Sequence, residues 1–235
     1  MVYGPIMIPR VQIDSAVVPG GGELRLIQRG SEYSIMLGSN ELMNSRLSGS
    51  EEALATMACA RIASRPRPAL LIGGLGMGFT LRAALAVVPK DARIVISELV
   101  PAIVRWARGP LAHLYGGSLD DGRVEIEEGD VGDLIAAARA RYDAILLDVD
   151  NGPDGLSRSA NDRLYDEAGL ARARAALRPG GVLAIWSSAS DAAFTRRLAK
   201  AGFRVEETAV RAHAGRGGAR HTIWLAVAPK HAPRS

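Results

Sequence analysis

Ala69-Leu70-Leu71-Ile72-Gly73-Gly74-Leu75-Gly76-Met77-Gly78-Phe79-Thr80 joins an apolar run to a glycine cluster, and a helix-like pattern follows at once. A short apolar run closed by glycines reads as a buried strand entering a tight turn. Glycines allow that turn and leave room for a ligand against the backbone. The first turn of the following helix presents N–H groups that have no partner inside the helix. In that helix Leu81, Ala84, Leu85 and Val88 fall on one face, the spacing of an amphipathic segment packed on a sheet. The Gly74-x-Gly76-x-Gly78 spacing alone is a weak signal, because glycine-rich turns also serve packing.

The same alternation continues downstream. Strands are predicted at 69–73, 92–97, 124–127, 143–148 and 182–187, and helices at 79–88, 101–108, 132–140, 161–177 and 191–200. Buried strands alternating with helices imply a mostly parallel sheet covered on both faces. The last two strand candidates, 203–210 and 222–228, have only a glycine- and arginine-rich connector between them. They predict a terminal antiparallel pair. Upstream, 11–18, 23–28, 32–37 and 41–44 are short strand candidates separated by Gly20-Gly21-Gly22, Arg29-Gly30-Ser31 and Gly38-Ser39-Asn40. They read as a small β region that must pack on the main domain or on a second subunit. A helix from Glu51 to Ala63, capped by Ser48 or Ser50, ends at Arg65-Pro66-Arg67-Pro68, and Glu51 and Glu52 suit its positive first turn. The expected division is 1–48 as a β-hairpin region, 49–228 as a Rossmann-like ligand-binding domain and 229–235 as a flexible basic tail.

Composition narrows the function classes. The 235 residues are 48% hydrophobic and 23% charged, which fits one α/β domain with a small appendage and excludes a disordered chain. The single cysteine, Cys59, excludes a disulfide framework and a multi-cysteine metal site. It reads as a buried small residue, with a nucleophile as the rival. His113, His213, His221 and His231 have no ligand spacing, so no metal is expected. The formal charge of +4 comes with no lysine block and no zinc-finger spacing, which argues against a specific nucleic-acid partner. Neither a signal-peptide pattern nor a membrane-length apolar run is present, so a cytoplasmic protein away from membranes is expected.

Three acidic positions sit where successive predicted strands end. Glu98 closes the second core strand and can accept hydrogen bonds from a ribose diol, or it caps the helix that begins at Pro101. Asp130 follows the third strand and can accept from an adenine amine while the Val131 N–H faces a ring nitrogen; its rival role is a helix cap. Leu99 and Val131 would wall the base. The fourth strand delivers Asp148-Val149-Asp150-Asn151-Gly152-Pro153-Asp154, a carboxylate-rich loop where an α/β site holds a reacting group, or else a loop whose acids cap turns.

Glycine loop, ribose acid and adenine acid in strand order resemble the polyamine aminopropyltransferases, the spermidine synthase family. The Asn161-Asp162-Arg163-Leu164-Tyr165 and Arg178-Pro179-Gly180-Gly181-Val182 segments resemble that family too. The resemblance implies a Rossmann-like class I methyltransferase fold. Its α/β sheet would be mostly parallel and seven-stranded with a terminal antiparallel strand, and a small N-terminal β region would precede it. It implies that Gly73, Gly74, Gly76 and Gly78 lie beside the amino-acid portion of an adenosyl co-substrate, with Glu98 at the ribose and Asp130 at the adenine. The co-substrate would be decarboxylated S-adenosylmethionine, or alternatively S-adenosylmethionine itself. Asp148 matches the first acid of the family's loop and would orient an amine and take its proton. Asp150 matches the second with altered spacing, and Asp150 or Asp154 would pair with another ammonium of the substrate. Where the family carries Tyr-His-Glu, this chain has Ser50-Glu51-Glu52, so Glu52 alone carries over. Glu52, Asp148, Asp150 and Asp154 would form a negative mouth suited to a small cationic amine rather than a phosphate backbone. The family commonly dimerises, so a homodimer using residues 1–48 is expected. Aminopropyl transfer leads the functional readings. Methyl transfer and non-catalytic nucleoside binding are its rivals, and a dehydrogenase fits the adenine-side acid and the terminal antiparallel pair poorly.

Overall fold

The computed structural model describes residues 8–19, 21–149, 162–212 and 219–230. Its N-terminal strands, β1 (Val11–Val17), β2 (Glu23–Arg29), β3 (Glu32–Leu37) and β4 (Asn40–Asn44), form an antiparallel sheet in chain order. The helix α1 (Gly49–Arg61) follows. Then come β5 (Ala69–Gly73), α2 (Phe79–Val87), β6 (Arg93–Glu98), α3 (Pro101–Arg108), α4 (Ala112–Tyr115), β7 (Val124–Glu128), α5 (Val131–Ala137) and β8 (Tyr142–Leu147). The chain continues through α6 (Asp162–Tyr165), α7 (Glu167–Ala176), β9 (Leu177–Ser187), α8 (Ala192–Lys200), β10 (Arg204–Arg211) and β11 (Arg220–Val227).

The second sheet has the order β10-β11-β9-β8-β5-β6-β7. β5 to β9 pair in parallel, and β11 runs antiparallel to both β9 and β10. This is the seven-stranded α/β sheet of class I methyltransferase-like proteins, with its antiparallel strand where the missing helix predicted one. All of β8, Tyr142 to Leu147, is buried, which is why its Ala144-Ile145-Leu146-Leu147 stretch reads as a continuous apolar run rather than an alternating one. The chain builds outward from β5 through β6 to β7, then returns to place β8 on the other side of β5. Ligand crevices open at such reversals, beyond the carboxyl ends of the strands.

The N-terminal sheet is bonded into the same core. Leu24, Leu26 and Ile35 are buried together with Leu54, Ile72 and Ile103, and each buried side chain of this size contributes about 1.5–3 kcal/mol. Trp106 Nε1 donates to Asp14 Oδ2 at 2.6 Å, which ties β1 to α3. The opposite face of the main sheet packs Leu71, Ile145, Phe194, Leu198 and Trp224. Pro229, in the predicted tail, accepts a hydrogen bond from Gly180 N at 3.1 Å.

Three predicted elements are divided or differ by three or more residues at one end. The helix expected over 161–177 is divided at Asp166, whose carboxylate accepts from Gly169 N at 2.6 Å and starts α7 afresh; short polar side chains compete with helix continuation in this way. The helix expected over 132–140 ends at Ala137. The strand expected over 182–187 begins earlier, because Leu177 pairs with Tyr142 ahead of a register shift.

Candidate adenosyl and acceptor site

The carboxyl edge of the sheet is knit together before any ligand is considered. Gly74 N donates to Ser97 O at 2.8 Å, Asp148 N to Gly73 O at 3.0 Å, and Gly129 N to Glu98 O at 2.9 Å. Ser97 Oγ donates to Gly129 O at 2.8 Å. The ends of β5, β6, β7 and β8 thus form a fixed rim. Above it opens a cleft of about 830 Å³ including its mouth, within the usual range for small-molecule sites. Its rim carries Gly74, Gly76, Glu98, Leu99, Asp130, Val131 and Asp148. The N-terminal sheet closes the other side with Val18, Leu24, Ile35, Leu37, Leu42 and Met43.

Gly74 has φ +90°, and a Cβ there would stand 2.4 Å from the Asp148 carbonyl oxygen. Gly78 has φ +79°, and its Cβ would stand 2.4 Å from the Tyr115 ring. These two glycines are therefore required by the protein's own close packing and by left-handed backbone. Gly73 lies beneath Val131, and Gly73 and Gly78 are not among the residues lining the cleft. Tyr115 Oη donates to Gly76 O at 2.6 Å and holds the loop from outside. Burial and the nearby Glu98 charge push the Tyr115 phenol above its ordinary value.

Glu98 is buried at the tip of β6. Its Oε2 accepts from Leu75 N and its Oε1 from Val100 N, both at 2.9 Å. Two backbone donors thus hold the carboxylate facing the cleft, and one of them lies beside the start of α3. Asp130 Oδ1 accepts from Gly132 N at 2.7 Å and is the N-cap of α5. It is a helix cap and a cleft-lining residue at once. Leu99 and Val131 flank the same space.

Asp148 stands immediately after β8, and Thr80 Oγ1, in the first turn of α2, donates to its Oδ2 at 2.5 Å. Burial first and the Glu51 charge second raise its carboxyl to about 7, against the opposing Thr80 hydrogen bond. Asp143 on the same strand is the contrast. It is buried too, but Arg178 lies at 2.7 Å and Arg65 at 3.6 Å, and it accepts from Ala69 N. Asp143 is a paired structural charge at the far edge. Asp148 faces a second carboxylate and a hydroxyl, the environment that marks reactive acids.

The acceptor side departs from the expected assignment. Glu52 is exposed. Glu51 is the acid of α1 that faces Asp148, and burial, with the neighbouring Glu52 charge, raises its carboxyl while the Ser50 hydrogen bond opposes the rise. Asp150 and Asp154 lie outside the described residues. Arg82 turns outward and donates to Leu114 O at 2.8 Å. Cys59 is buried, and burial pushes its thiol up to about 12, which leaves it a packing residue. Among the described residues no group of three or more metal-ligating side chains is placed to hold an ion, and no helix is long and apolar enough to cross a membrane.

The residues missed in the sequence are Glu51, Thr80 and the apolar wall from β2, β3 and the β4 region. Thr80 had a usable signal, being the first polar side chain of the helix after the glycine loop. The wall had none, since hairpin residues acquire a lining role only when the small sheet docks.

The model of the spermine/spermidine synthase domain matches residues 48–199. The chain belongs to that family. In the spermine/spermidine synthase family it is 34% identical over 120 residues to the polyamine aminopropyltransferase of Nitrosomonas europaea, covering 51% of this chain and 35% of that protein. It is 34% identical over 122 residues to the polyamine aminopropyltransferase of Mycobacterium tuberculosis, covering 51% and 22%. These matches span about a third or less of the relatives' own length. The fold agrees with a spermidine synthase solved in complex with the transition-state analogue AdoDATO, at TM-score 0.71 and 18% identity over 94% of this chain and 72% of the other. A Burkholderia thailandensis N1-methyltransferase solved with S-adenosylhomocysteine shares the fold more loosely, at TM-score 0.54 and 20% identity over 77% of this chain and 79% of the other.

Proposed function

We propose that this chain transfers an aminopropyl group from decarboxylated S-adenosylmethionine to a small cationic amine. The observation that carries the reading is the charge of the cleft. Its described lining contains Glu98, Asp130 and Asp148 and no lysine, arginine or histidine. A sulfonium with an aminopropyl tail is cationic throughout and suits that field. The methionine carboxylate of S-adenosylmethionine would enter it without a cationic side chain to meet it.

Glu98 would hold the ribose hydroxyls, Asp130 the adenine amine, and Leu99 and Val131 the base. Asp148 then faces the amine. Its Thr80 bond fixes one oxygen, and the other can accept the amine proton. The freed lone pair attacks the propyl methylene next to sulfur. The carbon–sulfur bond breaks, its electron pair returns to sulfur, and neutral 5′-methylthioadenosine leaves. A carboxyl near 7 is matched to an operating pH where a base must both accept and release a proton. Asp150 and Asp154 would complete the acidic mouth beside Asp148. We place the reaction in the cytoplasm, the compartment favoured by the composition.

The test is incubation of the full chain with each co-substrate and a panel of amines, followed by mass detection of the nucleoside product. 5′-Methylthioadenosine is the expected product. S-adenosylhomocysteine would replace this reading with methyl transfer, and tight nucleoside binding without turnover would replace it with a binding role.

A further inference from the structure

Behind the Asp148–Glu51 pair lies a hydrogen-bonded line that the transfer chemistry does not use. Ser50 Oγ donates to Glu51 Oε2 at 2.6 Å, and His221 Nδ1 lies 2.9 Å from the same Oγ. Ser50 is fully buried. His221 is held at the start of β11 by its ring contact with Trp186, with centroids 4.7 Å apart and planes at 71°. The N-terminus of α1 is itself docked here, with Gly49 N donating to Ala212 O at 3.1 Å. A serine hydroxyl has one hydrogen. While Glu51 is ionised that hydrogen belongs to the carboxylate, so the oxygen must accept from a protonated Nδ1. The imidazole tautomer and the carboxylate rotamer are therefore set together.

We propose that His221 is a positioning residue that acts through the Ser50 hydroxyl to hold the Glu51 carboxylate toward Asp148, coupling β11 to the acid pair at the end of β8. When Glu51 takes a proton the line reverses. The Nδ1 proton passes to Ser50 as the Ser50 proton passes to Glu51, and the ring takes one solvent proton at Nε2, so Glu51 ends donating to Ser50 and Ser50 to the bare Nδ1 of a neutral imidazole. Burial keeps the His221 ring below its ordinary value, so the neutral ring supplies both arrangements. Among the described residues the remaining groups around the line are few. Glu52 on α1 adds negative charge, α2 presents the neutral Thr80 hydroxyl, and β9 presents Trp186. Glu206 of β10 is paired with Arg61, and Arg211 and Arg220 are exposed at the strand ends.

The test needs no turnover, so it stands or falls separately from the transfer reading. Carboxyl-carbon NMR titrations would follow Asp148 and Glu51 in the ligand-free full chain. Ser50→Ala removes the donor that stabilises ionised Glu51. Glu51 should then titrate about one pH unit higher. Asp148, relieved of a neighbouring negative charge over that range, should shift lower. His221→Phe should move both groups in the same opposed directions by less, and His221→Asn, which restores a donor at the Nδ1 position, should return both toward the parent. A merely structural role would not move the two carboxyls in opposite directions. Unchanged titrations, shifts of the same sign, or no rescue by His221→Asn would overturn the proposal. If Ser50→Ala does not fold, the His221 pair carries the test alone.

Discussion

Glu98→Gln is the sharpest test of how the adenosyl half of the cleft is built. Both carboxylate oxygens of Glu98 are engaged by backbone donors, Leu75 N and Val100 N. Glutamine keeps one acceptor oxygen and turns an NH2 group toward the other donor, so one buried N–H loses its partner. That costs about 1–3 kcal/mol. For a chain of this size each kcal/mol lowers Tm by about 2–4 °C. The variant should therefore melt measurably below the parent while still folding. It also removes an acceptor for a ribose hydroxyl, a charged hydrogen bond of about 1.5–3 kcal/mol, or about a tenfold to hundredfold loss of affinity. Asp130→Asn is the paired control. Asn caps helices as well as Asp does, so the bond from Gly132 N survives and Tm should hardly move. The amide would then present a donor to the adenine amine, and affinity should still fall. Both would be measured by scanning calorimetry and by titration with 5′-methylthioadenosine, which carries the adenosine without the reacting tail. If Glu98→Gln melts with the parent, the two backbone bonds do not carry the rim. If both variants bind 5′-methylthioadenosine normally, the adenosyl assignment is wrong.

Other outcomes follow from the same geometry. The Asp148 carboxyl is raised from its ordinary value to about 7, so between pH about 4 and 7 the folded chain holds a proton that the unfolded chain has released. Stability from this group therefore falls as pH rises through that window and is level above it; Asp148→Asn should flatten the slope of urea midpoints between pH 5 and 8, and a persisting slope would assign it elsewhere. For the same reason kcat/KM for amine transfer should rise through pH about 7, and Asp148→Asn should abolish turnover while binding 5′-methylthioadenosine nearly as the parent does. Gly74→Ala must carry φ +90° and a Cβ 2.4 Å from the Asp148 carbonyl, so urea denaturation should show a loss of more than about 2 kcal/mol, whereas a near-neutral result would mean that the rim yields. Val11, Ile13 and Val17 are exposed along the edge strand β1, and edge strands invite pairing; light scattering should report about twice the 24.8 kDa chain mass, with Val17→Lys shifting it toward monomer, and a monomer at every concentration would refute the dimer.

The sheet was legible because its cause is local. β5, β6, β8 and β9 are buried apolar runs separated by helical periodicity, and the missing helix between 203–210 and 222–228 foretold that β11 reverses direction. The four N-terminal strands were legible for a similar reason, since glycine-bearing turns separate them. What was not legible depends on docking. No pattern in residues 18–43 says that Val18, Leu24 and Met43 line a cleft beyond the carboxyl ends of β5 and β6, because that follows from how one sheet sits on another. The break at Asp166 was missed because an aspartate inside an apolar periodicity reads as a surface position until its carboxylate is seen capping Gly169.

The acceptor acid shows where motif order and physical order diverge. Matching Ser50-Glu51-Glu52 to a linear motif selects Glu52. Helical phase selects Glu51. Positions 51, 55, 58 and 62 follow one another at steps of four, three and four, and Ala55, Ala58 and Ile62 are buried. Positions 52, 56 and 60 form a different stripe, and Glu52, Thr56 and Ala60 are all exposed. A side chain's face on a helix is set by that period. An acid one residue earlier than the motif is thus carried onto the core-facing stripe at the helix end nearest Asp148. The same step places Ser50 fully inside, within reach of His221 on β11, which no linear pattern joins to α1. A transferred charge position should therefore be accepted only when it shares the buried stripe of its own helix, and in this chain that rule makes Glu51→Gln the substitution that should lower the Asp148 carboxyl, while Glu52→Gln should leave it nearly in place. Carboxyl-carbon titration of Asp148 in the two variants decides between them, and a larger shift in Glu52→Gln would return the acceptor site to the motif position.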